Sequence, residues 1–316
     1  MAFTKVDHVG ILVPDLGIAK KVFVDGMGLA VDEHRGPATG RPGAFDNVTS
    51  VEIPIGEMYL EVSRPNDPTT PAGKFVAERM GMYYISLAST DMEGDIERLR
   101  RHGVKTQGRR KPGKGIFLEP ATTLGLLIEV VPEQNYYVHP FYKGEGLITG
   151  MAHVGLAARS AEEVRHLWSD VFGLREDKTM ERGQGGPRPE QLQPGRAAGD
   201  PVHLLEYPIG GSVIEISIPT TPDSGTARLV QQRATLGGVY HHICPFAPNV
   251  HALMDRAKAA GLQQIGSIPP REVTTRATAW LHPRTAAGVL TEVWNRNPGG
   301  EHVPHRHGTH PGPEHD

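Results

Sequence analysis

The stretches VDHVGILV (residues 6–13) and MAHVGLAA (residues 151–158) decide the fold, because they open two halves of the chain with one pattern. Each is a short, β-rich apolar run typical of a strand, and each carries one histidine, His8 or His153. A pattern that recurs along a chain indicates an internal duplication, and a duplication determines the architecture. The sequence therefore predicts a tandem protein.

The duplication continues downstream of both opening strands. The matching stretches are VEIPIGEMYLEV (51–62) with LEYPIGGSVIEI (205–216), and LGLLIEVV (124–131) with AGVLTEVW (287–294). In the first pair two glutamates stand nine residues apart in each copy, as Glu52 and Glu61 and as Glu206 and Glu215. The second pair places one glutamate in each half, Glu129 and Glu292. Both halves thus carry the same acidic positions.

One position breaks the repeat. GMYYISLAS (81–89) is the counterpart of GVYHHICPF (238–246), and Tyr84 stands where the second half has His242. A neutral phenol is a poor metal ligand unless it ionises, which its ordinary pKa of ~10 opposes. Only the second half therefore combines two imidazoles with carboxylates at matching positions.

Helix-like segments follow both opening strands, at residues 15–29 and 160–174. In the second segment Ser160 and Glu163 resemble a capping box, and apolar residues recur at helical spacing. These apolar residues are Val164, Leu167, Trp168, Val171 and Phe172. Short β-rich runs follow each helix, and the same order begins again in the middle of each half. The sequence predicts an α+β chain of four βαβββ modules.

The length and composition limit the function classes. A chain of 316 residues fits two domains, and the net charge of −3 offers no electrostatic case for nucleic acid or an anionic membrane. Cys244 is the only cysteine, which excludes an internal disulfide framework. The first residues lack the apolar run of a signal peptide, and no stretch approaches the ~18 apolar residues of a membrane span. We expect a cytoplasmic protein with a small-molecule substrate; a homodimer stays open.

The predicted organisation has four parts. They are a first domain at 1–135, a connection at 136–149, a second domain at 150–297, and a disordered His-rich tail at 298–316. The aromatic residues around the connection predict that it packs down. The second half also carries a Gly-, Pro- and Arg-rich loop at 181–200, which fits either a binding element or a surface excursion.

Four such modules, with histidine on the first strand and glutamate on the last, resemble the vicinal oxygen chelate superfamily. That superfamily includes glyoxalase I, methylmalonyl-CoA epimerase, extradiol dioxygenases and bleomycin resistance proteins. The resemblance covers residues 3–296, and the stretches 239–261 and 279–294 are most similar to the closing part of methylmalonyl-CoA epimerase. It implies that modules pair into two curled eight-stranded half-barrel domains, each forming a cup.

The resemblance also implies a metal site in the second cup. His153, His242 and Glu292 would correspond to the shared ligands, and Glu215 to a fourth, more variable one. Imidazole nitrogen with carboxylate oxygen suits a divalent ion such as Fe, Mn, Co, Ni or Zn. Strand alternation in VIEIS (213–217) sets Glu215 on the face opposite its isoleucine neighbours, so its charge points into the cup.

The remaining candidates are weaker. His241 is expected on the opposite face of its strand as a structural residue. Cys244 shares the parity of His242, which allows a place near the site, and a core cysteine is the favoured interpretation. The first half keeps His8, Glu61 and Glu129 beside Tyr84. We expect that cup to be empty or weakly occupied, as in the metal-free first domain of the extradiol enzymes that it resembles; a second metal stays open.

The resemblance implies chemistry at a carbonyl group. A bound metal acts as a Lewis acid that stabilises an enolate, while a nearby carboxylate moves the proton. Glu292 is the expected base as well as a ligand, and Glu206 is a weaker candidate for an opposing acid or base. Glu52 occupies the equivalent place in the metal-poor half, which favours a structural role for both. The predicted activity is that of an epimerase, isomerase or lyase.

Two alternatives stay open. An Fe(II) extradiol dioxygenase would need only His153, His242 and Glu292, and the doubled length favours it. His282 disfavours it, since ring-cleaving families have tyrosine ten residues before the glutamate ligand. A non-catalytic binding protein of the bleomycin resistance type would use the same cup without a reaction.

Overall fold

The computed structural model describes residues 3–43, 45, 47–108, 114–134, 137–178, 200–273 and 277–295. The predicted loop at 181–200, except its last residue, and the His-rich tail lie outside the described residues. Within them the chain forms two mixed sheets with helices, one sheet from each half. The α+β class and the pairing of modules into two sheets are confirmed.

Seven strands form the sheet of the first half. They are β1 (Phe3–Leu12), β2 (Arg41–Pro42), β3 (Val48–Ile55), β4 (Met58–Pro65), β5 (Gly81–Ser89), β6 (Ile116–Phe117) and β7 (Leu127–Pro132). Their order across the sheet is β2-β3-β4-β1-β5-β7-β6. Since β1 of one module pairs with β5 of the next, the four inner strands β4, β1, β5 and β7 come from both modules.

The sheet of the second half repeats this plan. Its strands are β8 (Gly150–Ala158), β9 (Val202–Ile209), β10 (Ser212–Pro219), β11 (Gly238–Phe246), β12 (Gln264–Ile265), β13 (Thr278–Leu281) and β14 (Leu290–Trp294). Their order is β12-β13-β14-β11-β8-β10-β9. Here the inner strands are β14, β11, β8 and β10, each equivalent to an inner strand of the first sheet.

The strand count corrects the expectation of eight per sheet, since each sheet has seven among the described residues. In the first half the place of the eighth strand holds one isolated bridge, between Thr106 and Leu118. Gly103 and Gly108 flank that segment with positive φ. In the second half that segment forms β12, and it is β2 that has no counterpart among the described residues.

The helices cover the sheets. They are α1 (Leu16–Ala19), α2 (Pro71–Glu78), α3 (Met92–Arg101), α4 (Ala161–Arg165), α5 (Gly225–Arg233) and α6 (Val250–Ala259). The Ser160 side chain accepts from the Glu163 amide at 3.2 Å, which confirms the N-cap half of the predicted capping box. All five predicted apolar residues of this helix are buried, but the helix changes to π geometry at His166–Val171, as α1 does at Lys20–Gly26. No helix of the described residues is long and apolar enough to cross a membrane.

Two arginines hold the halves together in a reciprocal arrangement. Arg98 on α3 donates to the carbonyl of Val171, at the end of the π-helical segment of the second half. Arg256 on α6 donates to the carbonyls of Val24 and Asp25, at the end of the equivalent segment of the first half, at 3.1 and 2.8 Å. Carbonyls at a helix end lack part of the helical set of donors, so each half supplies donors to those of the other.

The connection between the halves packs against the first half. Tyr142 is buried, and its ring lies 4.4 Å from that of Tyr137. The Tyr137 hydroxyl donates to Asp7 at 2.6 Å, and the other oxygen of Asp7 lies 3.0 Å from Nδ1 of His8. Through Asp7, the connection therefore helps to hold His8 in its position in the first cup.

Candidate metal centre

One predicted ligand lies on each of the four inner strands of the second sheet. Glu215 is on β10, His153 on β8, His242 on β11 and Glu292 on β14. Because β10 runs parallel to β8, Glu215 lies beside Gly155, and His242 lies opposite the same glycine on the other side. The register therefore directs the four side chains to one place on the sheet.

The donor atoms of these four residues converge. Nε2 of His153 lies 2.9 Å from Nε2 of His242, 3.2 Å from Oε2 of Glu292 and 3.8 Å from Oε1 of Glu215. Nε2 of His242 lies 3.6 Å from Oε1 of Glu215 and 3.8 Å from Oε2 of Glu292. Ligand atoms held at ~2.1 Å from one ion are about 3.0 Å apart when adjacent and about 4.2 Å apart when opposite. The spacing of the two histidines with either carboxylate fits donors around a single ion.

Burial and neighbouring charges set the protonation of the site. Burial would lower the pKa of His153, but the charge of Glu215 and the hydrogen bond and charge of Glu292 raise it to about 9. Burial, reinforced by the neighbouring histidines, holds the pKa of His242 well below its usual range. Burial also raises the pKa of Glu215, with His153 opposing and Glu292 adding to the effect. Buried carboxylates need a compensating positive charge, which a divalent cation would supply.

Two glycines that the sequence reasoning overlooked make room for the converging rings. A Cβ on Gly155 would lie 2.1 Å from the His242 ring, and a Cβ on Gly10 would lie 1.9 Å from the Tyr84 ring. Both glycines stand two residues after the histidine of an opening strand, so the repeated His-Val-Gly pattern was the available signal. A larger residue at either place would displace the ring.

Glu206 faces the same side of the sheet as the candidate ligands. It lies directly opposite Glu215 in the antiparallel β9–β10 ladder, where cross-strand partners share a face. It is 1% exposed, and its charge contributes to the raised pKa of His153. Its counterpart Glu52 instead forms ion pairs with Arg35 and Arg41. The two equivalent glutamates thus lie in different electrostatic surroundings.

The strand β11 does not alternate simply between its two faces. Tyr240 lies opposite Leu156 and His242 opposite Gly155, which leaves His241 as an extra residue in a bulge. The expected orientation of His241 away from the site is therefore wrong, since its Nδ1 lies 3.2 Å from Nδ1 of His242. Burial lowers the pKa of His241 to about 4, so the ring is neutral near pH 7.

Cys244 is buried, as expected of a core cysteine, but it also lies at the site. It stands opposite His153 across the β8–β11 pair. Donor atoms of His153, Cys244 and Glu292 all lie within 4.8 Å of one another, as do donor atoms of His153, Glu215 and His242.

The first cup has the same frame with different chemistry. Tyr84 lies opposite Gly10, as His242 lies opposite Gly155, although a letter-by-letter alignment of the two strands would pair Tyr84 with His241. Nε2 of His8 lies 3.0 Å from the Tyr84 hydroxyl, which donates to Glu61 at 2.7 Å. Nε2 of His8 also lies 3.4 Å from Oε2 of Glu129.

Protonation distinguishes this cup further from the second. Burial and nearby carboxylates hold the pKa of Tyr84 well above 10, so the phenol stays neutral. Burial raises the pKa of Glu129 to about 7, against the opposing charge of His8. The hydroxyl of Tyr84 connects His8 and Glu61, which in a metal site would be connected through the ion. Weak metal occupancy of this cup stays a prediction.

A cavity of about 1270 Å³ lies between the two halves. His241 and Trp280 line it, and Trp280 also contacts the candidate metal centre, with its ring centroid 5.5 Å from that of His242. Trp280 lies opposite Glu292 in the β13–β14 ladder. The side chains of His241 and Trp280 therefore lie between the cavity and the candidate site.

Models of the glyoxalase/bleomycin resistance protein/dioxygenase superfamily match this chain at residues 7–118 and 150–293. The two matches together span most of the chain, and each falls within one half. The chain belongs to this superfamily, that of the vicinal oxygen chelate proteins, in a tandem form. No curated protein sequence matches it.

Solved structures share the fold. The chain is similar to a mutant of 4-hydroxymandelate synthase from Streptomyces coelicolor, with a TM-score of 0.65, 15% identity and coverage of 94% of each chain. It is also similar to the Mn(II)-bound glyoxalase from Novosphingobium aromaticivorans, with a TM-score of 0.55, 16% identity and coverage of 93% of this chain and 82% of that one. A Streptomyces coelicolor methylmalonyl-CoA epimerase variant matches 42% of this chain and 100% of its own, with 23% identity and a TM-score of 0.37.

Proposed function

We propose that the second half is a divalent-metal enzyme that stabilises the enolate of a small carbonyl or acyl substrate. The reaction class is that of an epimerase, isomerase or lyase. One observation carries the proposal: His153, Glu215, His242 and Glu292 bring two imidazoles and two carboxylates from four strands into a single buried cluster. That the Mn(II)-bound glyoxalase shares the fold over 93% of this chain supports the metal.

The four residues would hold the ion through nitrogen and oxygen donors, the mixture that Fe, Mn, Co, Ni and Zn accept. When bound, the metal supplies a Lewis acid that spreads negative charge developing on a substrate oxygen. Burial of His153 and His242 excludes water from the site, which strengthens electrostatic interactions there.

Glu292 and Glu206 are the carboxylates proposed to move protons. The Glu292 side chain is 17% exposed, against 11% for Glu215 and 3% for each histidine, so it is the donor that a substrate most readily reaches. Glu292 would take the proton next to the carbonyl. Glu206, on the same face of the sheet, is the proposed second acid or base.

The cavity between the halves favours an anionic substrate. Among the described residues, four arginines line it against the single carboxylate of Asp200; they are Arg79, Arg228, Arg233 and Arg284. A cleft lined by one sign of charge concentrates ligands of the opposite sign. We therefore infer that the carbonyl substrate carries a carboxylate or another anionic group.

Metal analysis tests the site. Wild-type protein and the His166→Ala control, which removes a largely exposed imidazole, should each retain one divalent ion per chain after purification. His242→Ala should retain none, because a buried nitrogen donor is lost. Full metal content in His242→Ala would refute this site, and wild-type protein that takes up no metal would exclude both enzyme proposals.

A second measurement separates the reaction classes. Solvent deuterium incorporation would be followed across carbonyl compounds with and without an anionic group, beside oxygen uptake on catechols. Exchange without oxygen consumption supports the enolate reaction. Oxygen uptake would support the Fe(II) dioxygenase alternative, which needs only His153, His242 and Glu292. Neither reaction in the metal-loaded protein would favour the binding protein.

A further inference from the structure

We propose that Cys244 is a further metal ligand, and that its sulfur gives the second cup a preference for thiophilic cations such as Zn²⁺ and Co²⁺ over Mn²⁺. The inference rests on the metal site proposed above and extends it to a donor of a different kind.

The position of Cys244 follows from strand register. Cys244 stands opposite His153, and it follows His242 by two residues, so both side chains of β11 lie on the face of the site. Leu290 pairs with His242 and Trp294 with Phe246 in the parallel β11–β14 ladder. This register sets Cys244 beside Glu292.

The donor distances are compatible with ligation. Donor atoms of His153, Cys244 and Glu292 lie within 4.8 Å of one another. A sulfur held at ~2.3 Å from an ion and a nitrogen or oxygen held at ~2.1 Å are separated by no more than about 4.4 Å. The three donors are therefore near enough for side-chain adjustment to bring sulfur, nitrogen and oxygen onto one ion.

A comparison with the equivalent residue of the first half supports a ligand role for Cys244 beyond filling space in the core. Ser86 stands opposite His8 and beside Glu129, which is the arrangement of Cys244 relative to His153 and Glu292. Both side chains are fully buried. The cup with one imidazole thus has a hydroxyl at this place. The cup with two has a soft sulfur donor, which favours Zn²⁺ or Co²⁺ over the harder Mn²⁺.

Ligation requires the thiol to lose its proton. Burial, with Glu292 and Glu215, holds the pKa of Cys244 well above 9 in the metal-free protein, so sulfur is protonated there. A coordinating cation deprotonates a thiol outright. One proton leaves to solvent as the sulfur–metal bond forms, and no oxidant or reductant is needed.

Cobalt spectroscopy tests the inference cleanly, because Cys244 is the only cysteine of the chain. The metal-free protein would be titrated with Co²⁺ while the visible d–d bands and the near-ultraviolet thiolate-to-cobalt charge-transfer band are recorded. Wild type should show both. Cys244→Ser should keep the d–d bands and lose the charge-transfer band. In competition dialysis it should lose about tenfold or more of the preference for Zn²⁺ over Mn²⁺, a loss typical of altered metal sites.

A matched control moves the thiol to the other cup. Ser86→Cys in the Cys244→Ser background keeps one cysteine per chain at the equivalent place, and it should show no charge-transfer band. Binding of Co²⁺ to wild type without that band, or an unchanged Zn²⁺ preference in Cys244→Ser, would overturn the ligand role while leaving the metal site intact. Failure of wild type to bind Co²⁺ at all would instead refute the metal site, and this inference with it.

Discussion

Tyr84 and His242 occupy the same place in the two sheets. Each ring lies over a glycine of the opening strand, Gly10 or Gly155. Each also reaches to within 3.0 Å of the histidine of that strand, His8 or His153. In the first half the ring presents a hydroxyl that donates to a carboxylate, and in the second it presents another imidazole. The halves thus share a frame and differ in the chemistry at this position.

Replacing Tyr84 by histidine should create a second metal site. The change restores the second imidazole beside His8, Glu61 and Glu129, and the smaller ring fits the space over Gly10. Metal content should rise from one to two ions per chain. Tyr83→His is the control, because it places the same residue type in the neighbouring bulge position. A stoichiometry that stays at one in Tyr84→His would show that the first cup lacks more than a ligand.

Alanine at Gly155 should abolish metal binding without removing any donor. Its Cβ would lie 2.1 Å from the His242 ring, so the ring must leave its present position beside His153. Gly150→Ala, on the same strand, is the matched control, because its Cβ would meet only Phe246, at an ordinary 3.8 Å. Calorimetric titration with Zn²⁺ measures the loss. Equal affinity in both variants would contradict the role of Gly155.

The stability of the metal-free protein should fall between about pH 4.5 and pH 7 through Glu129. Burial raises the pKa of this carboxyl from 4.5 to about 7, so the folded state binds a proton that the unfolded state has already lost. The contribution is present below pH 4.5 and is lost as pH rises through 7, and it is on the order of 3 kcal/mol. Glu129→Gln lacks this titration.

Thermal unfolding of wild type and Glu129→Gln across that pH range, with chelator present, measures the effect. The variant should gain stability relative to wild type as the pH increases from 4.5 to 7. A difference that does not change with pH would mean that Glu129 is already ionised in the folded state.

The equivalent residues Glu206 and Glu52 should respond differently to glutamine. Glu52→Gln breaks buried ion pairs with Arg35 and Arg41, and it should lower the free energy of unfolding by ~3 kcal/mol. Glu206→Gln should retain metal and fold but lose deuterium exchange at least about a hundredfold, the usual contribution of an acid or base. Chemical denaturation and exchange rates, measured on both variants, separate the roles. Unchanged exchange in Glu206→Gln would remove it from the mechanism.

Local patterns were sufficient to predict much of this molecule. The duplicated opening strands, the Ser160 cap and the buried face of its helix depend on residues close in sequence, so alternation and helical spacing describe them well. The predicted ligands His153, Glu215, His242 and Glu292 lie on four neighbouring strands because the duplication repeats the same register.

Other features depend on contacts between distant segments. The bulge at His241 is visible only in the pairing of β11 with β8, and it places that ring beside His242 rather than on the opposite face. Likewise, the arginines that neutralise Glu52 lie on a different segment from the glutamate, and the sequence repeat does not indicate them.

The sequence by itself determined the duplicated α+β plan and the kinds of side chain that form the candidate site. Only the tertiary structure decided that Gly155 makes room for the ring of His242, that Cys244 lies among the donors, and that Tyr84 bridges the first cup. The physical reason is that these relations depend on which atoms meet across strands, with His153 and His242 separated by 89 residues.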